Sequence, residues 1–169
     1  LHPDTLIKYA VRAERLANTS KNINDLANVE YYKAWYLNKR GFTDSALSLI
    51  TINISGLKET ENQSVLTKFQ ILKSNILIRN NQQKEAIENC LQVLHKAESA
   101  NDLVSQLKSK TIIGWAYMEL AQNNDALKWL QEAIEIFKKS GEQIPCAVTF
   151  CNIAATYNEV NKNDSAELY

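Results

Sequence analysis

Only two histidines occur in the 169 residues, His2 and His95, and neither has a partner at a metal-ligand or catalytic spacing. His2 falls in a tail. His95 lies in Leu94-His95-Lys96-Ala97-Glu98, which reads as the surface of a helix. Cys146 and Cys151 are five residues apart, a spacing that suits neither a zinc site nor a redox pair. Cys90 falls at a core position of a helical pattern, where a thiol serves as a small hydrophobe. Cys151 has no histidine to act as its base and so lacks what a nucleophile needs. No zinc-protease motif and no phosphate loop occurs, and Glu132, Glu135 and Glu142 read as solvated helix surface. No catalytic residue, metal ligand or cofactor is expected. What remains are groups that hold a polypeptide rather than transform it. Trp35 and Trp115 can anchor a bound segment, as buried aromatics do at interfaces. Asn38, Asn75 and Asn158 can bond a peptide backbone, and Lys39, Lys68, Arg79 and Lys108 can engage carboxylates.

The composition sets the frame for these groups. Apolar residues make up 45% and charged residues 22%, an ordinary globular mix. Four glycines and two prolines are too few for a protein of many tight β-turns, so helices are favoured. Formal charge balances at +0, from 19 basic and 19 acidic residues. Non-specific binding to nucleic acid or an anionic membrane needs a basic surplus, which is lacking overall. No apolar run reaches the roughly 18 residues of a membrane span. Three cysteines, an odd number, argue against a disulfide scaffold and leave both a cytoplasmic and a periplasmic setting open. The chain begins at Leu1 rather than Met, as expected for a piece of a longer protein.

The elements that position these groups recur at a fixed step. Ala46, Ala86, Ala126 and Ala166 are spaced by forty; so are the small residues Ala34, Ser74, Gly114 and Ala154, and the large Leu37, Leu77, Tyr117 and Tyr157. One step earlier lies Leu6, followed by Tyr9, Ala10, Ala13 and Leu16 at helical spacing. The pattern predicts helices over about 4–17, 24–39, 44–54, 64–79, 84–99, 103–121 and 124–139, and a last long one from Pro145 to about 160. Asp4 or Thr5, Thr43, and Asn163 or Asp164 are expected N-caps. Residues 58–63 are expected to be a polar connection. Gly141 is expected in the left-handed conformation that ends a helix.

Small-x-x-Tyr/Leu in a first helix, followed nine residues later by Ala in a second, resembles the tetratricopeptide repeat. Ile113-Gly114, Tyr117, Ala126, Leu130 and Ala133 carry the resemblance best, and Ile153-Ala154, Tyr157 and Ala166 next best. The repeat is longer than the usual 34 residues of that family; the extra residues, about six, lengthen the second helix and its following turn, 137–144 in the central copy. In this respect the chain resembles the arrays of bacterial signalling proteins that precede a kinase or DNA-binding output. The resemblance implies an all-α fold, an α-α superhelix built as a solenoid of antiparallel helical hairpins. One domain, 1–169, would hold a partial repeat at about 4–18, repeats at 27–66, 67–106 and 107–146, and a partial repeat at 147–169. It also implies a protein- or peptide-binding scaffold, the sensory or regulatory region of a larger bacterial signalling protein. The alternative is a structural array that self-associates through its open ends, where Tyr9 and Leu16 would pair with another copy.

In such an array the first helix of each hairpin lines the inner groove. Taking the helix face opposite the small residues gives Tyr31, Trp35, Asn38 and Lys39 in the first, and Lys68, Ile71, Asn75 and Arg79 in the second. The third contributes Lys108, Thr111, Trp115 and Met118, and the fourth Asn158. The Lys-Asn-Arg clamp by which some family members grip a carboxylate is not expected, because Tyr31 and Trp35 stand where its Lys and Asn would. Lys33 and Lys73 occupy a slot that is apolar in the later copies, Ile113 and Ile153. Looser packing is expected there, compensated by Val29, Tyr32 and Tyr36 and by Phe69, Leu72 and Ile76.

Overall fold

The computed structural model describes residues 3–20, 22–57 and 59–160, with side chains from residue 11 onward except those of 20 and 59–61. The expected helix around Ala166, its cap at Asn163 or Asp164, and the side chains of Leu6, Tyr9 and Ala10 lie outside what is described. Among the described residues eight helices follow one another: α1 (Pro3–Ser20), α2 (Ile23–Lys39), α3 (Thr43–Gly56), α4 (Glu59–Arg79), α5 (Gln83–Ser99), α6 (Leu103–Glu119), α7 (Asn123–Lys139) and α8 (Ala147–Glu159). No strand occurs among the described residues. The class is all-α, with the hairpin packing of an α-α superhelical repeat fold. The chain divides into two compact units, residues 1–76 and 77–169.

Why the helices stop where they do is visible in the backbone. Gly41, Asn81 and Ala121 have φ of +84°, +59° and +56°, and Asn101 and Gly141 have +52° and +67°. These positions obey the forty-residue step themselves. At each, the chain closes a helix with a left-handed residue, and the next N–H reaches back to a carbonyl five residues earlier: Phe42 to Leu37 at 2.9 Å, Gln82 to Leu77 at 2.8 Å, Gln122 to Tyr117 at 2.9 Å, Asp102 to Ala97 at 2.8 Å and Glu142 to Phe137 at 3.1 Å. This backbone-closed helix end satisfies carbonyls that would otherwise be orphaned. At four of these turns the residue that closes one helix opens the next. The carbonyls of Phe42, Gln82 and Gln122 accept from Ala46, Ala86 and Ala126, and that of Asp102 accepts from Gln106. The Asp102 side chain also accepts from Ser105 N at 3.1 Å, which caps α6.

Three local expectations are corrected. Thr43 is the first residue of α3 rather than its cap; Phe42 takes that place without a side-chain bond, because the backbone turn already fixes the entry. The last helix begins at Ala147, not at Pro145, since the turn after Gly141 adds Glu142 at φ +62° and uses up the residues between. The expected connection 58–63 is mostly helix: α4 starts at Glu59 and breaks its geometry only at Asn62 (φ −130°).

Each unit has its own core. In the first, Ala27 and Ala34 of α2, Ala46 and Ile50 of α3, and Val65, Phe69, Leu72 and Ile76 of α4 form one buried cluster. In the second, Leu107 of α6 packs with Ala133 and Ile136 of α7, Ile144 and Cys146, while Leu130 and Ile134 pack on Ile153 of α8. The small residues are explained by proximity. A Cβ at Gly114 would stand 2.6 Å from Leu130 Cγ and 3.2 Å from the Ala126 carbonyl oxygen. Lys33 does not loosen its hairpin: its ammonium bonds Glu14 at 2.9 Å and Glu30 at 2.8 Å, tying α1 to α2. The stripe expected to compensate it is split. Val29 is buried, Tyr36 is half-buried and Tyr32 is exposed.

Candidate binding surface on the first helices

In the first unit, α2 and α4 lie side by side. Lys68 Nζ donates to Asn28 Oδ1 at 2.9 Å across the forty-residue step, and Tyr31 meets Phe69 edge-on with ring centroids 5.9 Å apart. Tyr31 also meets Tyr32 at 5.3 Å. Burial pushes its phenol above the ordinary value, and the neighbouring Tyr32 adds to this. Tyr31 therefore seals the core with its ring. Trp35, one turn on, is 36% exposed. Lys39 Nζ sits 5.6 Å from its ring centroid, a cation–π arrangement on an open surface. Asn38 is half-buried beside it and Lys39 is exposed. On α4, Lys68 is exposed and Ile71 and Asn75 are half-buried. One amide hydrogen of Asn75 is committed to the Ile71 carbonyl at 3.1 Å.

In the second unit the expected face divides. Arg79, Lys108 and Asn158 are exposed. Trp115 is half-buried, and its Nε1 donates to Glu119 Oε1 at 2.8 Å on the same helix. Met118 is half-buried and packs on the cluster of Leu130, Ile134 and Ile153. Thr111 is corrected: it is only 7% exposed, and its hydroxyl lies 2.7 Å from that of Thr149 and donates to the Leu107 carbonyl at 2.9 Å. The flank of α6 that carries Thr111 is covered by α8. Thr111 is a link between first helices and not a contact for a ligand.

The groups without a binding expectation are placed as follows. His95 and Cys151 are exposed, and Cys90 is buried. Burial pushes the Cys146 thiol up and Glu142 adds to that, which disfavours the thiolate. No group of three or more His, Cys, Asp or Glu that could hold a metal occurs among the described residues. No described helix is long and apolar enough to cross a membrane. Glu135 pairs with Lys138 at 3.0 Å on the surface. Glu132 is not simply solvated: it holds Lys110 at 2.7 Å.

Two arrangements were missed in the sequence. Lys110 Nζ lies 4.9 Å from the centroid of Trp129 as well as against Glu132, which locks α6 to α7. The signal was the hairpin register: Gly114 opposite Ala126 and Leu130 brings position 110 near 129 and 132. The other is an open cavity of about 460 Å³ between α1 and α2, lined by Ala13, Leu16, Ala17, Asp25, Asn28, Val29 and Tyr32. Leu16 and Tyr32 there are 65% and 50% exposed.

No protein-family model matches the chain, and no curated protein matches it. Its structure is similar to the crystal structure of BtubC (BKLC) from P. vanneervenii, with a TM-score of 0.75 and 20% sequence identity. That likeness covers 99% of this chain and 70% of the other. At that identity the likeness shows the fold alone, an all-helical one.

Proposed function

We propose that the chain is a protein- or peptide-binding scaffold of the tetratricopeptide type, the sensory or regulatory interaction region of a larger bacterial signalling protein. The observation that supports this reading is Trp35. It closes no hairpin and stands partly open on the flank of α2. A cation lies over its ring and a half-buried amide beside it. An aromatic side chain fixed in this way loses little entropy when a partner covers it. Lys68 and Lys39 on the same unit supply charge that favours a segment bearing carboxylates. His95 and Cys151 are exposed and burial disfavours the Cys146 thiolate, which supports reading the chemistry as binding.

The test is selection of binding peptides from a displayed library against the 169-residue chain, followed by Trp35→Ala. The expected result is carboxylate-containing binders whose affinity falls at least about tenfold in the variant, as for an interface anchor, while helicity stays unchanged. Binders that ignore the substitution, or no binder at all, would count against this function.

A further inference from the structure

We propose that Trp115 and Glu119 form a seat for a basic side chain, lysine or arginine, of a bound polypeptide, so that the second unit selects a charge opposite to the one Trp35 selects. This rests on the reading of the chain as a peptide-binding scaffold and assigns a ligand class to its second aromatic anchor. The three tryptophans of the chain differ in their partners. Lys39 Nζ stands 5.6 Å from the ring centroid of Trp35. Lys110 Nζ stands 4.9 Å from that of Trp129, and Glu132 Oε2 holds the same ammonium at 2.7 Å. That trio of indole, carboxylate and ammonium is how this protein itself holds a cation. Trp115 has the first two members and lacks the third. Its Nε1 donates to Glu119 Oε1 at 2.8 Å, which pins a carboxylate beside the ring. Among the described residues no cation lies over the Trp115 ring and no ion pair reaches Glu119.

The surroundings favour a cation and supply none. The forty-residue step takes Lys39 to Arg79, Glu119 and Glu159, so the sign at this one position reverses along the chain. Glu119 and Glu159 are the last residues of α6 and α8, two helices joined by the 2.7 Å contact between the Thr111 and Thr149 hydroxyls. Both carboxylates are exposed. Neither helix has a basic residue in its last turn, whereas α2, α4, α5 and α7 do. A helix C-terminus carries partial negative charge on its carbonyls, so an acidic residue there is unfavourable until a cation arrives. α8 contains no lysine or arginine. Lys108 lies seven residues before Trp115, roughly 10 Å away along α6. An arriving ammonium or guanidinium gains the ring face, a charge-assisted bond to the second Glu119 oxygen and the field of both helix ends. A carboxylate is repelled by the same groups.

The test is display selection against the 169-residue chain with two peptide libraries, one with arginine or lysine fixed at the centre and one with glutamate there, the flanks random. The expected result is binders from the basic library that protect amides of α6 and α8 in hydrogen exchange and shift the Trp115 indole resonance. Glu119→Gln, an exposed change at a helix end, should keep helicity and weaken these binders at least about tenfold, as loss of a charged hydrogen-bond partner does. Glu119→Lys should reverse the preference, so that glutamate-centred peptides bind at the same place. Trp35→Ala should leave the basic binders untouched. Basic binders that ignore Glu119→Gln, or binders from the acidic library alone, would overturn this assignment and leave the peptide-binding reading standing. No binder from either library would remove both. Free arginine or tetramethylammonium binding as tightly as the selected peptides would also overturn it, since the site would then take a small cation and not a polypeptide.

Discussion

At the scale of single residues, the fold rests on a few positions where size or backbone sign decides. Gly114 is one. A methyl group there would meet Leu130, itself fully buried, at 2.6 Å. Replacing Gly by Ala in a helix gains about 1 kcal/mol of propensity, but overpacking costs about 1–3 kcal/mol. Gly114→Ala should therefore lower the urea midpoint. Adding Leu130→Cys should recover part of the loss, because the side chain that is struck becomes smaller; residues 74 and 90, one step earlier, are Ser and Cys. A raised midpoint in the single variant would contradict this packing. Ala121 is the opposite case. It sits at φ +56°, where Gly41 and Asn81 stand at the equivalent turns. An L-residue with a Cβ is strained there by about 1–2 kcal/mol, partly returned as unfolded-state entropy when Gly is introduced. Ala121→Gly should raise stability by up to about 1 kcal/mol, and a denaturation curve shifted to lower urea would show the turn is not left-handed in solution.

At the scale of elements, hairpins are closed by backbone and locked by charge. Lys33 joins α1 to α2 through Glu14 and Glu30. Burial by itself lowers the ammonium's pKa, but the hydrogen bonds to the two carboxylates outweigh it and hold the group above its ordinary value of 10.5. Folding thus favours the protonated form. The contribution is complete below 10.5 and is lost as pH rises through the higher native value. Compared with Lys33→Met, the wild type should lose relative stability as the pH rises above 10.5, whichever of the two is more stable at neutrality. A difference that stays constant over that range would mean the ion pairs do not form. The elements were largely legible in the sequence, because the forty-residue step and the helical period follow from packing, and packing constrains residue size. What failed was decided by neighbours. Thr111 lies on the groove side of its helix by angle, yet α8 covers it. Lys33 looked like a flaw in an apolar slot until its partner on α1 was in place. Ala121 carries no turn signal, since the chain imposes the left-handed conformation through the hydrogen bond from Gln122 to Tyr117.

At the scale of the whole chain, the two units each hold their own buried clusters, with Phe69 and Ile50 in one and Leu130 and Ile153 in the other. In repeat architectures stability is a sum of local terms, so damage spreads from where it is made. Ala46 and Ala126 allow a matched test. Both are fully buried, both follow the same kind of turn, and they lie two steps apart in the repeat. Leucine at either site overpacks the contact between first and second helix by about 1–3 kcal/mol. Hydrogen exchange read helix by helix should show Ala46→Leu releasing the amides of α2 and α3 first, and Ala126→Leu those of α6 and α7. If each substitution instead raised exchange equally along the whole chain, the 169 residues would unfold as one block. Trp35 would then share a single stability with every helix, and a partner bound beside it would protect them all alike.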